Sequence, residues 1–213
     1  PPPPPPDPDV TKYGCYEGSC VDCASTSCVG QTWDNDPTCG GGCSETPALA
    51  IGDTYQGGII FYLDGNGGGL IAAPSNQSTT TWGCFQTAIG TTGTAIGTGQ
   101  QNTLNIIAGC QTPGIAADIA NNLTLNGYSD WFLPSKDEAQ EMATAIGVYA
   151  PAQNEGNFNP TPTNHYWSSS EIPGSVTPGE SAWVKHINLT NSPTNNFGSN
   201  KDLLHFVRAI RAF

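Results

Sequence analysis

At 213 residues the chain has room for one medium domain and a small appendage. Charged residues are 11% of it, against about 25% in an average domain, while 26 Gly and 18 Pro give a loop-rich, extracellular type of composition. A net charge of −12 with six Lys plus Arg argues against nucleic acid, and against anionic membranes and polyanionic glycans, because such partners need clustered cations.

Pro1 opens the chain with no leader ahead of it, as expected of a mature or truncated form. Residues 1–8 form a polyproline spacer, extended by about 3.1 Å per residue. Residues 9–46 hold Cys15, Cys20, Cys23, Cys28, Cys39 and Cys43 but few aliphatic side chains, so burial alone cannot stabilise them. Three disulfides among these six would compensate by restricting the unfolded chain, in any of 15 connectivities. Cys20-x2-Cys23 with Cys39-x3-Cys43 also approaches a zinc-ribbon spacing. Disulfides are preferred, because eight cysteines in all point outside the reducing cytosol.

The main domain, 47–213, opens with a hairpin: Ile51 to Leu63, a turn through Asp64-Gly65-Asn66-Gly67, then Leu70 to Ala73. Residues 74–111, rich in Gly, Thr, Ser and Gln, read as a long ordered loop cross-braced by a Cys84–Cys110 bridge. Thr112-Pro113 starts a helix with Ile115, Ile119, Leu123, Ala116 and Ala120 on its buried stripe. Ser135 and Glu138 make a capping box for a second helix, about 136–146, which Gly147 stops. A polar loop at 150–164 precedes a strand through Tyr166 and Trp167. Ala182 to Leu189 alternates, with Trp183, Ile187 and Leu189 on one face around Lys185, and a loop at 190–202 leads to a last strand, Leu203 to Phe213. Two helices among short antiparallel strands and long loops is an α+β pattern. No apolar run approaches the roughly 20 residues that would span a bilayer, so membrane insertion is not expected.

Gly127-Tyr128-Ser129-Asp130-Trp131-Phe132-Leu133-Pro134-Ser135-Lys136-Asp137-Glu138 resembles a segment of one known module. With Tyr166-Trp167-Ser168-Ser169-Ser170-Glu171, Gly57-Gly58-Ile59-Ile60-Phe61-Tyr62, Gly97-Thr98-Gly99-Gln100-Gln101-Asn102-Thr103 and the terminal Val207 to Phe213, it is similar to the Lcl C-terminal domain family over about 48–213. That family is named after a collagen-like bacterial surface adhesin. The resemblance implies a C-type-lectin-like fold whose first and last strands pair, a cell-surface or phage-fibre setting, and binding of glycans or surface proteins. The same broad fold class includes formylglycine-generating enzymes, whose chemistry uses reactive cysteines late in the domain. No cysteine follows Cys110 here.

Catalytic residues are not expected: His165, His186 and His205 are isolated in sequence, and no nucleophile-elbow, zinc-helix or phosphate-loop motif occurs. No cofactor is expected either. Calcium is the only cation with a foothold, at Asp34-Asn35-Asp36 and at Asp64 with Asn66, but it requires six to eight oxygens, and the second pair suits a turn better. The sugar-binding triplets of calcium-dependent lectins are absent. Sugar recognition by aromatic stacking and planar polar groups could draw on Trp82, His165, Tyr166, Trp167, Glu171, Asn195, Asn196 and Phe197, with Trp82 and Phe197 in loops and the best placed for exposure. Trp131, Trp167 and Trp183 also suit a core. Arg208 and Arg211, on the last strand, are expected in internal ion pairs, with Asp130 or Glu171 as partners. Asn76, Asn122 and Asn188 start N-glycosylation sequons, which a bacterial or phage source would ignore.

The expectation is a secreted or cell-surface adhesion module without catalysis, whose partner is a glycan or a surface protein. The rival is a structural subunit of an extracellular filament, self-associating through its proline tract or cysteine module, or a phage tail-fibre tip.

Overall fold

Tyr13 to Asp22 folds as a hairpin, β1 (Tyr13–Tyr16) antiparallel to β2 (Ser19–Asp22), in a register that sets Cys15 opposite Cys20. The structure is a computed structural model; it describes residues 13–16 and 19–22 as backbone, and 49–148, 150, 155–158, 165–173, 179–186 and 196–213. The chain divides into two units, Pro1–Ala48 and Leu49–Phe213. The polyproline spacer and the bridges expected among Cys15, Cys20, Cys23, Cys28, Cys39 and Cys43 lie outside the described residues.

The second unit is α+β, with three helices and two sheets among its described residues. One sheet runs β11 (Ile210–Ala212), β5 (Gly69–Ala72), β4 (Gly58–Leu63), β3 (Thr54–Tyr55). Its inner strands β4 and β5 read as apolar runs because both faces are covered. Ile60 and Ile71 point into one core with Trp82, Ile106 and Trp131, while Ile59, Phe61 and Leu70 point into a second with Met142, Ile146 and Phe158. The β4–β5 turn is held by Asp64, whose Oδ1 accepts from Asn66 N–H at 2.7 Å and Gly68 N–H at 3.0 Å. Asp64 and Asn66 are therefore turn formers.

The other sheet runs β6 (Ser78–Thr80), β10 (His205–Val207), β7 (His165–Glu171), β8 (Ser181–His186), β9 (Asn196–Asn200). Its β10–β7 pair is parallel, so the strands are not all antiparallel. The expected last strand is two strands: β10 and β11 part at Arg208 and Ala209 and enter different sheets. Nor do the first and last strands pair. β11 hydrogen-bonds β5, and β3 lies at the opposite edge.

The helices correct the sequence reading twice and support it once. Helix α1 (Gly99–Gly109) occupies part of the expected loop. Its inward face is polar, which hydrophobic periodicity does not register: Asn102 and Thr103 are buried, Thr103 Oγ1 donating to Gly99 O at 2.8 Å and accepting from Leu133 N–H at 3.0 Å. Helix α2 is Ala116–Asn121, shorter than expected, with Ile115 rather than Thr112 in the capping position. Gly114, at φ 75°, turns the chain into it. Helix α3 (Lys136–Ile146) has the full capping box and ends at Gly147. Its Glu138 is wholly buried; burial raises its pKa, against the Ser135 and Gly97 amides that it accepts from.

Trp183 is half-buried rather than a core aromatic, and it is Ala182 and Val184 that enter the core. Ile187 and Leu189 lie outside the described residues.

Candidate functional site

β7 is the central strand of the five-stranded sheet, and the expected ligand residues cluster along it. At its C-terminal end Glu171 is buried and fully engaged. Its carboxylate accepts from Ile89 N–H at 2.9 Å, Gly90 N–H at 2.5 Å and Thr91 N–H at 3.2 Å, and forms an ion pair with Lys201. Lys201 also donates to Thr87 O at 3.0 Å and lies 4.2 Å from the centre of the Trp82 ring. Burial pushes the Glu171 carboxyl up, but the Ile89 amide, Lys201 and the Gly90 amide outweigh it and hold its pKa below the usual value.

Glu171 is therefore a clasp for the segment 87–91 and cannot serve a ligand. Trp82, expected in an exposed loop, is wholly buried and donates its Nε1–H to Ser168 O at 2.9 Å. Trp167 is equally buried and donates to Thr80 O at 2.9 Å, and Tyr166 is wedged edge-on against Phe158. The large rings went inside because burying them contributes more than any exposed stack. The Cys84–Cys110 bridge forms, with Cα atoms 5.7 Å apart, and ties the segment after Trp82 to the end of α1.

The arginines divide. Arg211 pairs with Asp130, lies 3.9 Å from the Tyr128 ring and donates to Gln56. Arg208 has no carboxylate partner among the described residues, which corrects the expected ion pair with Glu171. It donates instead to neutral oxygens: Asn76 Oδ1 at 2.9 and 2.7 Å, Ala73 O at 2.8 Å and Gly156 O at 2.6 Å. Burial lowers its pKa to about 10, against the Tyr166 phenol. Asn76 in turn donates to Tyr166 Oη at 3.2 Å, so both ends of its amide are used. A glycan on Asn76 would break this network; Asn122 is exposed at the end of α2, and Asn188 lies outside the described residues.

Beside that network lies an open groove of about 590 Å³ between α2 and the segment 75–77. Ser75, Gln77, Asp118 and Asn122 give it polar walls, and Ile119 and Leu123 an apolar floor. The walls are braced: Gln77 Oε1 accepts from Ala209 N–H at 2.6 Å, and Asp118 Oδ2 from Gly114 N–H at 2.9 Å. Hydrophobic periodicity could not find this groove, since its two sides are about 40 residues apart in sequence and meet only in the folded chain.

At the N-terminal end of β7 the sheet gathers the three histidines. The His165 ring is 5.0 Å from His186 and 5.2 Å from His205, and Phe197 packs edge-on against it at 4.7 Å. Phe197 is 38% exposed, but on strand β9 rather than in a loop. Asn196 reaches Gln140 Oε1 at 3.3 Å on the other face, and Asn195 lies outside the described residues. Gln140 Oε1 also accepts from Lys185, which is 3% exposed and lowered to about 8 by burial and by Lys136. Of the expected ligand set, the structure thus brings His165 and Phe197 together at a surface and places Trp82, Tyr166, Trp167 and Glu171 inside. Among the described residues no group of three His, Cys, Asp or Glu is placed to hold a metal ion.

No protein-family model matches the chain, and no curated protein matches its sequence.

Proposed function

We propose that this chain is an extracellular adhesion module without catalytic activity, in which a C-type-lectin-like domain of the Lcl C-terminal kind binds a neutral glycan or a surface protein. The groove between α2 and residues 75–77 carries the reading. A cavity of about 590 Å³ with amide, hydroxyl and carboxylate walls over an aliphatic floor suits the alternating hydroxyl and C–H faces of an uncharged sugar. Its walls stand on a helix and on a segment pinned to Ala209 and Arg208, so little ordering is required on binding. The cations nearest by fold are spent internally, Arg208 on neutral oxygens and Arg211 on Asp130, which disfavours sulfated or otherwise anionic sugars. Eight cysteines and the Cys84–Cys110 bridge support the extracellular setting.

A glycan array probed with oxidised protein tests this. Binding to neutral glycans, lost on widening Ile119 to Trp and reduced by Asn122→Ala, is the expected result. Folded protein that binds no glycan and no surface protein would sink the proposal. The filament reading draws support from Leu203 and Leu204, adjacent on one turn and 50% and 65% exposed, which suit contact with a second copy. Electron microscopy separates the two, since dispersed particles at high concentration count against a filament.

A further inference from the structure

Three polar side chains from three elements converge where α3 packs on the five-stranded sheet. Lys185 projects from β8 and is buried, and the β8–β9 register sets Asn196 opposite it. Gln140 comes from α3. Its Oε1 accepts from Lys185 Nζ at 2.5 Å and from Asn196 Nδ2–H at 3.3 Å. The other end of the Gln140 amide is held as well. Its Nε2–H donates to Thr144 Oγ1 at 3.0 Å, one helical turn on, and the Thr144 hydroxyl donates to Gln140 O at 2.9 Å.

These groups are the parts of an acyl transfer. The amine is a nucleophile and the carboxamide carbon an electrophile. With a C=O bond of about 1.23 Å, Cδ can lie no more than about 3.7 Å from Nζ, close to the roughly 3–3.5 Å of a near-attack geometry. A small swing of the flexible lysine stem carries Nζ from the oxygen to the carbon. Asn196 Nδ2–H already points at the oxygen on which negative charge develops during attack, the place of an oxyanion donor. Thr144 is exposed beside the nitrogen that must leave, so ammonia has a way out to solvent.

We propose that Lys185 and Gln140 join in an intramolecular amide bond that welds α3 to β8, with Asn196 as the oxyanion donor.

The step balances without a co-reactant. The Nζ–Cδ bond forms as the Cδ–Nε2 bond breaks, and the proton given up by the amine leaves on Nε2 as ammonia. Nothing is oxidised or reduced, and the chain becomes lighter by one NH3, about 17 Da. Ammonia lost to bulk solvent draws the exchange forward. The state of the amine agrees with this role. Burial, then Lys136, lowers the Lys185 pKa to about 8, so about one amine in ten is neutral at pH 7 and about half at pH 8. Unlike the Cys84–Cys110 bridge, such a tie resists reducing agents.

The test uses the full oxidised chain. Fresh protein, and protein kept folded at about pH 8 for weeks, are reduced, unfolded and weighed by intact mass spectrometry, then digested. The expected result is a form lighter by about 17 Da, present at once or growing with time, that yields one branched peptide joining the Lys185 and Gln140 segments. Lys185→Arg, whose guanidinium is not a nucleophile, should remove that form, and Asn196→Ala should slow its appearance about 100-fold. Incubation of the unfolded wild-type chain should stop any further growth, because the reacting groups are no longer held together. An unchanged mass in the folded wild type would overturn the proposal. So would a loss that maps instead to a cyclised Asn66 or Asn126, each of which precedes a glycine. The wild-type measurement decides the matter even if a variant fails to fold.

Discussion

The two ends of the seven-residue strand β7 handle buried ionisable groups in opposite ways. At one end the Glu171 carboxylate has a cation, Lys201, and three backbone amides, and its pKa is held below the usual value. At the other, His165 meets two more imidazoles, and burial, then His186, lowers its pKa. The difference teaches that burial alone does not set the behaviour of a group. A buried charge with partners is a clasp, whereas a buried base is held towards its neutral form by the loss of solvent.

Breaking the clasp should have the largest effect. Glu171→Ala leaves Lys201 buried without a counter-ion and three amides without an acceptor, and is expected to cost about 3–5 kcal/mol, read as a fall in the denaturant midpoint. Opening the Cys84–Cys110 bridge by a double Cys→Ser exchange loosens the segment that Glu171 holds. For a sequence separation of 26 the expected loss is about 3 kcal/mol, measured by thermal unfolding beside the oxidised protein.

The comparison is sharpened by pH. Wild-type stability should fall from pH 6.5 towards 4 through the histidines, and fall again below the ordinary carboxylate range through Glu171. His165→Gln should flatten the first phase and leave the second, so a single unchanged profile in the variant would contradict the division. Ser135→Ala, which removes the α3 cap, should cost about 1 kcal/mol near neutral pH. Smallest of all, Lys185→Met replaces a buried amine that donates to the neutral Gln140, and should change stability by less than about 1 kcal/mol relative to the unbridged chain.

Several features were legible in the sequence because the signal and its consequence lie close together. Ser135 and Glu138 cap α3, Gly147 ends it, Asp64 folds the turn before β5, and the two cysteines of the second unit pair with each other. Helix α1 was hidden because polar Asn102 and Thr103 occupy its buried face, satisfied by Gly99 within the helix and by Gly93 and Leu133 outside it. The candidate ligand set failed for a related reason: a loop position says nothing of whether the loop folds back over a sheet, as the segment carrying Trp82 does.

By itself the sequence determined the local frame: where the turn before β5 falls, where α3 starts and stops, and that charge is scarce. Tertiary structure alone decided where that scarce charge went, pairing Lys201 with Glu171 and giving Arg208 only neutral oxygens. It also brought His165, His186 and His205 together from three strands. Caps and turns depend on neighbours within a few residues, whereas these meetings depend on sheet order and register, which no local stretch encodes.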